Sequence, residues 1–320
     1  VIYHLIQRLK DMDICGEIIL VPNCNPIGTN IKAGEYTLGR FDPVNGTNWN
    51  RGYFFDKEAV EHFAKTVTRE ESIEGIKQRF RAHLSNAIDN KLAEPWGLGL
   101  AQQLNLKLQQ MAVNADFVLD LHNGPVSTRH VYIPEYAKDS AKLFNIPHCI
   151  FIPNVFAGAL DEATFCPWWT LQESIKTNLA REVSFNVEAF TLEMGSQEVI
   201  DFNEGNIDAT SILSYLNAKG VLHECDIKPT EMKRLGVYLK DYKTLFTNWG
   251  GMVEYMAKPG QTVKKGEPLA QILNIDDLDT DNGSRTLEAP CDLIPILHFP
   301  SASVLSGTQL YKVFTNYKEL

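Results

Sequence analysis

The chain has 320 residues, 44% of them hydrophobic, and a formal net charge of −10 at pH 7. That much apolar material can bury a large core in two domains, and an acidic balance with scattered basic residues argues against nucleic acid and against an anionic membrane as partner. No apolar run reaches the roughly 18–20 residues that span a bilayer. Cys15, Cys24, Cys149, Cys166, Cys225 and Cys291 form no C-x-x-C and no dense framework. They read as reduced, mostly buried thiols of a cytoplasmic protein. The expected partner is a small-molecule substrate, and a homo-oligomer stays open.

In chain order, Ile2, Leu5, Ile6 and Leu9 form an apolar stripe at helical spacing, giving a helix over 1–11. No Ser, Thr, Asp or Asn precedes it as a cap, so the chain reads as entering inside a helix. A strand is expected at Glu17–Val21, closed by Pro22 and Asn23. Residues 23–55 form a long loop rich in Asn, Gly and Pro, carrying Arg40, Asn50 and Arg51. A loop of that length inside a compact domain points to function. Residues 56–92 and about 97–113 read as helical, the latter with Leu100, Leu104, Leu108 and Met111 on one face.

Next comes Phe117-Val-Leu-Asp-Leu-His122, an apolar run with Asn123-Gly124 behind it, which reads as a buried strand. Side chains alternate along a strand, so Asp120 and His122 share a face, with His122 at the lip. Ligands of open α/β sheets gather at the carboxyl ends of strands. A histidine there either holds a metal or is a core residue bonded to a backbone carbonyl. Further elements follow: strands near 130–133 and 148–152, a helix near 136–144, an irregular loop over 153–166 and a helix near 168–181. Trp168 and Trp169, beside Cys166-Pro167, suit the core better than a pocket. The run Phe185–Phe190 ends in Thr191-Leu-Glu-Met-Gly195, with a helix near 204–219 behind it. Strands alternating with helices give an α/β fold, a mixed sheet flanked by helices. One imidazole, two guanidiniums and the Glu193 carboxylate at strand ends and in loops suit metal-assisted hydrolysis of an acyl bond.

From about residue 235 short strands with Gly and Pro turns take over, so the domains are read as 1–230 and 235–320. Val263-x-x-Gly266-x-x-Leu269-x-x-Ile272 recurs as Val304-x-x-Gly307-x-x-Leu310-x-x-Val313, with Pro259 matched by Pro300. Two copies of a strand–turn–strand unit suggest a small all-β sandwich or barrel of two similar halves.

The order Asn50-Arg51, Asp120-Leu121-His122, Thr191-x-Glu193-x-Gly195 resembles the succinylglutamate desuccinylase/aspartoacylase family, relatives of the zinc carboxypeptidases, from about residue 1 to the C-terminus. The resemblance implies one Zn2+ per subunit with His122 as third ligand. It places the other two ligands in a His-x-x-Glu motif that no part of this chain carries in that context, so they are expected upstream of Val1; His4 reads as a helix-face residue. It makes Glu193 the proton shuttle, with Gly195 turning the backbone beside it. Asn50 and Arg51 would bind a substrate carboxylate and Arg40 would face the oxyanion. Two departures stand out: a longer segment between Arg40 and Asn50, and Gly52-Tyr53-Phe54 in place of Phe-Pro-Gly. The C-terminal domain resembles a lipoyl/biotinyl hammerhead without the carrier lysine, since none occurs between Lys265 and Lys312; that leaves a lid or an oligomerisation element. The resemblance implies a zinc-dependent amidohydrolase that removes an acyl group from an N-acylated amino acid or small amine. The alternatives are a metallocarboxypeptidase and a metal-free carboxylate-binding pseudoenzyme.

Overall fold

The computed structural model describes residues 1–34, 36–37, 39–223 and 225–320, the Tyr36 side chain excepted. Its main sheet is built from the apolar runs that sequence periodicity marks. Strands β1 (Phe117–Gly124), β3 (His130–Pro134), β4 (His148–Ile152) and β5 (Glu188–Ser196) are joined by β6 (Leu235–Tyr238) and β14 (Lys318–Glu319). The order is β14-β6-β4-β3-β5-β1. β1 and β5 run parallel, β5 and β3 antiparallel, and β3, β4 and β6 parallel, so the sheet is mixed.

Alternation along these strands loads the two faces differently. On one face Val131, Ile133, Cys149, Phe151, Phe190 and Leu192 pack against helices α1 (Ile2–Leu9) and α6 (Phe202–Ala218). On the other, Ile150, Ile152 and Ala189 meet Phe165 and Cys166 of α5 (Leu160–Leu179), and Ile294, Ile296 and Phe314 from the C-terminal part. Helices α2 (Lys57–Ala64) and α3 (Ile73–Leu92) back α5 through Phe63, Phe80 and Trp168. Fully burying an aromatic such as Phe80 or Phe165, both 0% exposed, contributes about 1.5–3 kcal/mol.

The C-terminal part adds two four-stranded antiparallel sheets. One orders β7 (Tyr242–Phe246), β13 (Gln309–Phe314), β11 (Ile294–His298) and β2 (Val126–Ser127); the other orders β10 (Ser284–Glu288), β9 (Pro268–Leu273), β8 (Gly251–Tyr255) and β12 (Ser303–Val304). Their shared core contains Val263, Leu269 and Ile272 from one repeat and Val304, Leu310 and Val313 from the other. Gly266 and Gly307 occupy matched left-handed turns at φ +83° and +84°, which explains glycine at both places. Two ladders fix this unit on the main sheet: β6 against β4, and β2, which follows the Asp-Leu-His strand directly, against β11. The β unit is thus joined to the main sheet beside that strand.

Four expectations from the sequence are corrected. Glu17–Val21 forms no ladder among the described residues; Ile18 and Leu20 lean on the core, while the strand pair nearby is Asp13–Ile14 with Leu222–His223. Residues 56–92 split into two helices, because Ser72 caps α3 by accepting from the Gly75 amide at 3.1 Å. Helix α5 starts at Leu160, not 168, with Pro167 inside it. The buried face of helix α4 (Leu100–Ala112) carries Ala101, Asn105, Leu106 and Gln109, whereas Leu100 and Met111 are exposed. Of the cysteines, Cys149 and Cys166 are buried but Cys15 and Cys24 are exposed. No helix of the described residues is long and apolar enough to cross a membrane. Part of the 23–55 loop, at Glu35 and Leu38, lies outside the described residues.

Candidate active site

Parallel strands β1 and β5 are in register, so Asp120 stands beside Thr191 and His122 beside Glu193. All four side chains fall on the face that meets the β unit. The ladder slips between His122 and Gly124, and Gly195 turns the neighbouring strand at φ +89°, a backbone conformation that costs other residues a Cβ clash. Asn123 Nδ2 donates to the Met194 carbonyl at 3.0 Å and Ser127 Oγ to that of Gly195 at 3.3 Å, tying the two strand ends together.

The His122 Nε2 atom lies 2.9 Å from Asp120 Oδ2. Burial alone would push the imidazole pKa down. The Asp120 carboxylate, by charge and by hydrogen bond, together with Glu193, outweighs that and lifts it to about 9. Glu193 is 8% exposed and its Oε2 has no hydrogen-bond partner among the described residues. Across the sheet it pairs with His130, which donates from Nδ1 to the Thr128 carbonyl at 2.9 Å. That bond fixes His130 Nε2 as an acceptor, and it too is buried without a partner. Beside Asp120 and Thr191, Asp161 at the start of α5 is pushed up to about 7 by burial, with Asp120 and Glu162 adding to the effect.

The long loop supplies the cations. The Trp49 amide donates to the Arg40 carbonyl at 2.7 Å, Phe41 bridges Asn48, and Asp42 Oδ1 accepts from the Val44 amide at 2.7 Å. This small hairpin loops out the extra residues between Arg40 and Asn50. The Arg51 carbonyl accepts from Asn105 Nδ2 at 2.9 Å, its Nη1 donates to the Asn50 carbonyl, and its stem lies against Gly158. Gln109 brackets Phe54 through its amide and carbonyl at 2.9 and 2.6 Å. The buried polar residues of α4 therefore hold the Gly52-Tyr53-Phe54 departure in place, which is why they displace leucines from that face. The Asn50 Oδ1 atom is buried and unpartnered among the described residues.

The charge of Arg40 acts on His122, Tyr132 and Lys312, and that of Arg51 on Tyr132 and Lys312; Glu193 acts on His122, His130, Tyr132, Tyr242 and Lys312. The sequence reading named Arg40, Asn50, Arg51, His122 and Glu193 and missed His130, Tyr132, Tyr242 and Lys312. Among the described residues no group of three or more His, Cys, Asp or Glu side chains is placed to hold a metal ion.

Comparison with known proteins shows the family. Residues 1–218 match the succinylglutamate desuccinylase/aspartoacylase catalytic domain. A protein of that type from Shewanella frigidimarina is 44% identical, with a TM-score of 0.93 over 99% of this chain and 85% of its own. A family protein from Shewanella amazonensis is 44% identical, with a TM-score of 0.94 over 100% of this chain and 87% of its own. An aspartoacylase family protein from Mesorhizobium loti shares the fold at 14% identity and a TM-score of 0.60, over 100% of this chain and 80% of its own. No curated protein matches the chain. The chain belongs to the succinylglutamate desuccinylase/aspartoacylase family, whose members are deacylases.

Proposed function

We propose that the protein is a zinc-dependent amidohydrolase that removes an acyl group from an N-acylated amino acid or small amine. The observation that carries this is the strand-end pair: a buried Glu193 carboxylate with a free oxygen, in register beside an imidazole already bonded to a carboxylate. Metal-ligating histidines give one ring nitrogen to a carboxylate or carbonyl and the other to the ion. His122 fits that pattern, with Nε2 on Asp120 and Nδ1 left for zinc. A catalytic zinc takes three protein ligands and a water, so His122 would be one of three. When bound, zinc supplies a Lewis acid and a water whose pKa drops to about 7.

The chain's own residues divide the remaining work. Arg51 offers a planar fork to the substrate carboxylate, and Asn50 adds a polar contact. Glu193 accepts the proton of the attacking water and hands it to the departing amine nitrogen. Arg40, whose field already reaches His122, faces the oxyanion. Asp120 keeps the His122 ring oriented.

The test pairs two measurements on the native protein: amine release from N-acyl amino acids beside a series of C-terminal peptides, and metal content by mass spectrometry. Release from the N-acyl series with about one zinc per subunit is expected. His122→Ala should lose the metal. Cleavage confined to peptides, or hydrolysis that persists without zinc, overturns the proposal.

A further inference from the structure

Strands β5 and β3 run antiparallel with His130 directly opposite Glu193. Side chains paired in this way share a face, with Cβ atoms about 4.5–5.5 Å apart. The next pair, Val131 and Leu192, turns the other way, into the core shared with α1 and α6. His122 flanks Glu193 from β1, but its Nε2 is already 2.9 Å from Asp120 Oδ2. On the opposite flank the His130 ring is 0% exposed, enclosed by Tyr132 at 5.6 Å and Tyr242 at 6.3 Å between ring centres. Its Nδ1 hydrogen is committed to the Thr128 carbonyl at 2.9 Å, and burial holds the ring's pKa below the usual 6.5 against the opposing charge of Glu193. Nε2 is therefore a lone pair that can only accept. It has no partner among the described residues, and the Tyr242 hydroxyl, itself unpartnered, does not reach it. A buried acceptor without a donor is costly, and one kept at a site calls for a hydrogen from elsewhere. As a carboxylate Glu193 also only accepts, and its Oε2 is buried and unpartnered too. One hydrogen between the two groups satisfies both.

We propose that His130 is a positioning residue for Glu193: its Nε2 accepts a hydrogen bond from the carboxyl group while Glu193 carries the proton between water and amine. The proposal rests on the deacylase reading and adds to it a holder for the proton shuttle. The proton leaves the attacking water for a Glu193 oxygen, and the resulting O–H donates to His130 Nε2. That O–H then turns to the departing amine nitrogen and gives up the proton there; His130 itself gains none. An interaction made only in that interval speeds turnover without tightening substrate binding. Amine release is measured with the best substrate among N-acetylalanine, N-acetylaspartate and N-succinylalanine. The proteins are the native chain, His130→Leu, His130→Gln, Glu193→Gln, and His130→Leu combined with Glu193→Gln. Leucine and glutamine both lose the bond to Thr128, so the difference between them reports on the acceptor; His130→Phe serves if the leucine variant does not fold. In His130→Leu kcat should fall about tenfold to a hundredfold at unchanged KM, and His130→Gln, whose side-chain oxygen accepts, should recover most of that loss. In the Glu193→Gln background the leucine substitution should change kcat by no more than about twofold. An unchanged kcat in His130→Leu, an equal loss in both backgrounds, a loss carried by KM, or no recovery with glutamine overturns the role of His130 and leaves the hydrolase standing. No hydrolysis of any probe by the native protein overturns the reading beneath it.

Discussion

Glu193→Gln removes a charge at nearly constant volume, and the structure separates its catalytic from its structural consequences. If Glu193 moves a proton in the reaction, turnover should fall about 10²–10⁴-fold, equivalent to about 2.7–5.5 kcal/mol of barrier. Its stability cost should be small, because Oε2 has no partner to lose. A change within about 1 kcal/mol moves the melting temperature by no more than about 4 °C in a protein this large. Glu188, five residues earlier on the same strand, is the internal control. It accepts from Ser140 Oγ at 3.0 Å, Tyr215 Oη at 2.8 Å and Lys219 Nζ at 2.6 Å. Glu188→Gln strands a largely buried ammonium and should cost about 3 kcal/mol of stability. Steady-state kinetics and thermal melts on both variants make the assay. Turnover within tenfold of the native value in Glu193→Gln, or a melting loss as large as that of Glu188→Gln, would refute the reasoning.

Asn105→Ala frees the carbonyl of Arg51 and should raise KM about tenfold, the worth of one hydrogen bond of about 1.4 kcal/mol; an unchanged KM would show that Arg51 does not hold substrate. His148, 6% exposed, has its pKa lowered from 6.5 to about 4, chiefly by burial. The unfolded chain therefore takes the proton first, so stability is full above pH 6.5 and falls as pH drops toward 4, by about 3 kcal/mol. Urea unfolding at pH 7.5 and 4.5 should show that loss shrinking by this amount in His148→Gln. Tyr311→Phe removes the hydroxyl that donates to the buried Leu269 carbonyl at 2.6 Å and should cost about 1–3 kcal/mol by denaturant unfolding, with β-sheet circular dichroism retained.

What could be read from the sequence was whatever is encoded locally. Asp120 and His122 lie two residues apart in one apolar run, so period-two alternation put them on one face; that Glu193 shares this face follows only from the register of β5 against β1. The start of α5 was hidden because Pro167 reads as a stop. Yet Glu162 Oε2 accepts from the Ala157 and Ala159 amides at 2.7 and 3.1 Å, a glutamate at the third helical position that marks an entrance. Helix α4 misled for the opposite reason: its leucines suggested the core, while loop carbonyls and amides that needed partners drew in Asn105 and Gln109. Lys312 depends on the register of β13 against β7 and β11 and on the docking of the β unit, neither of which its neighbours in sequence encode.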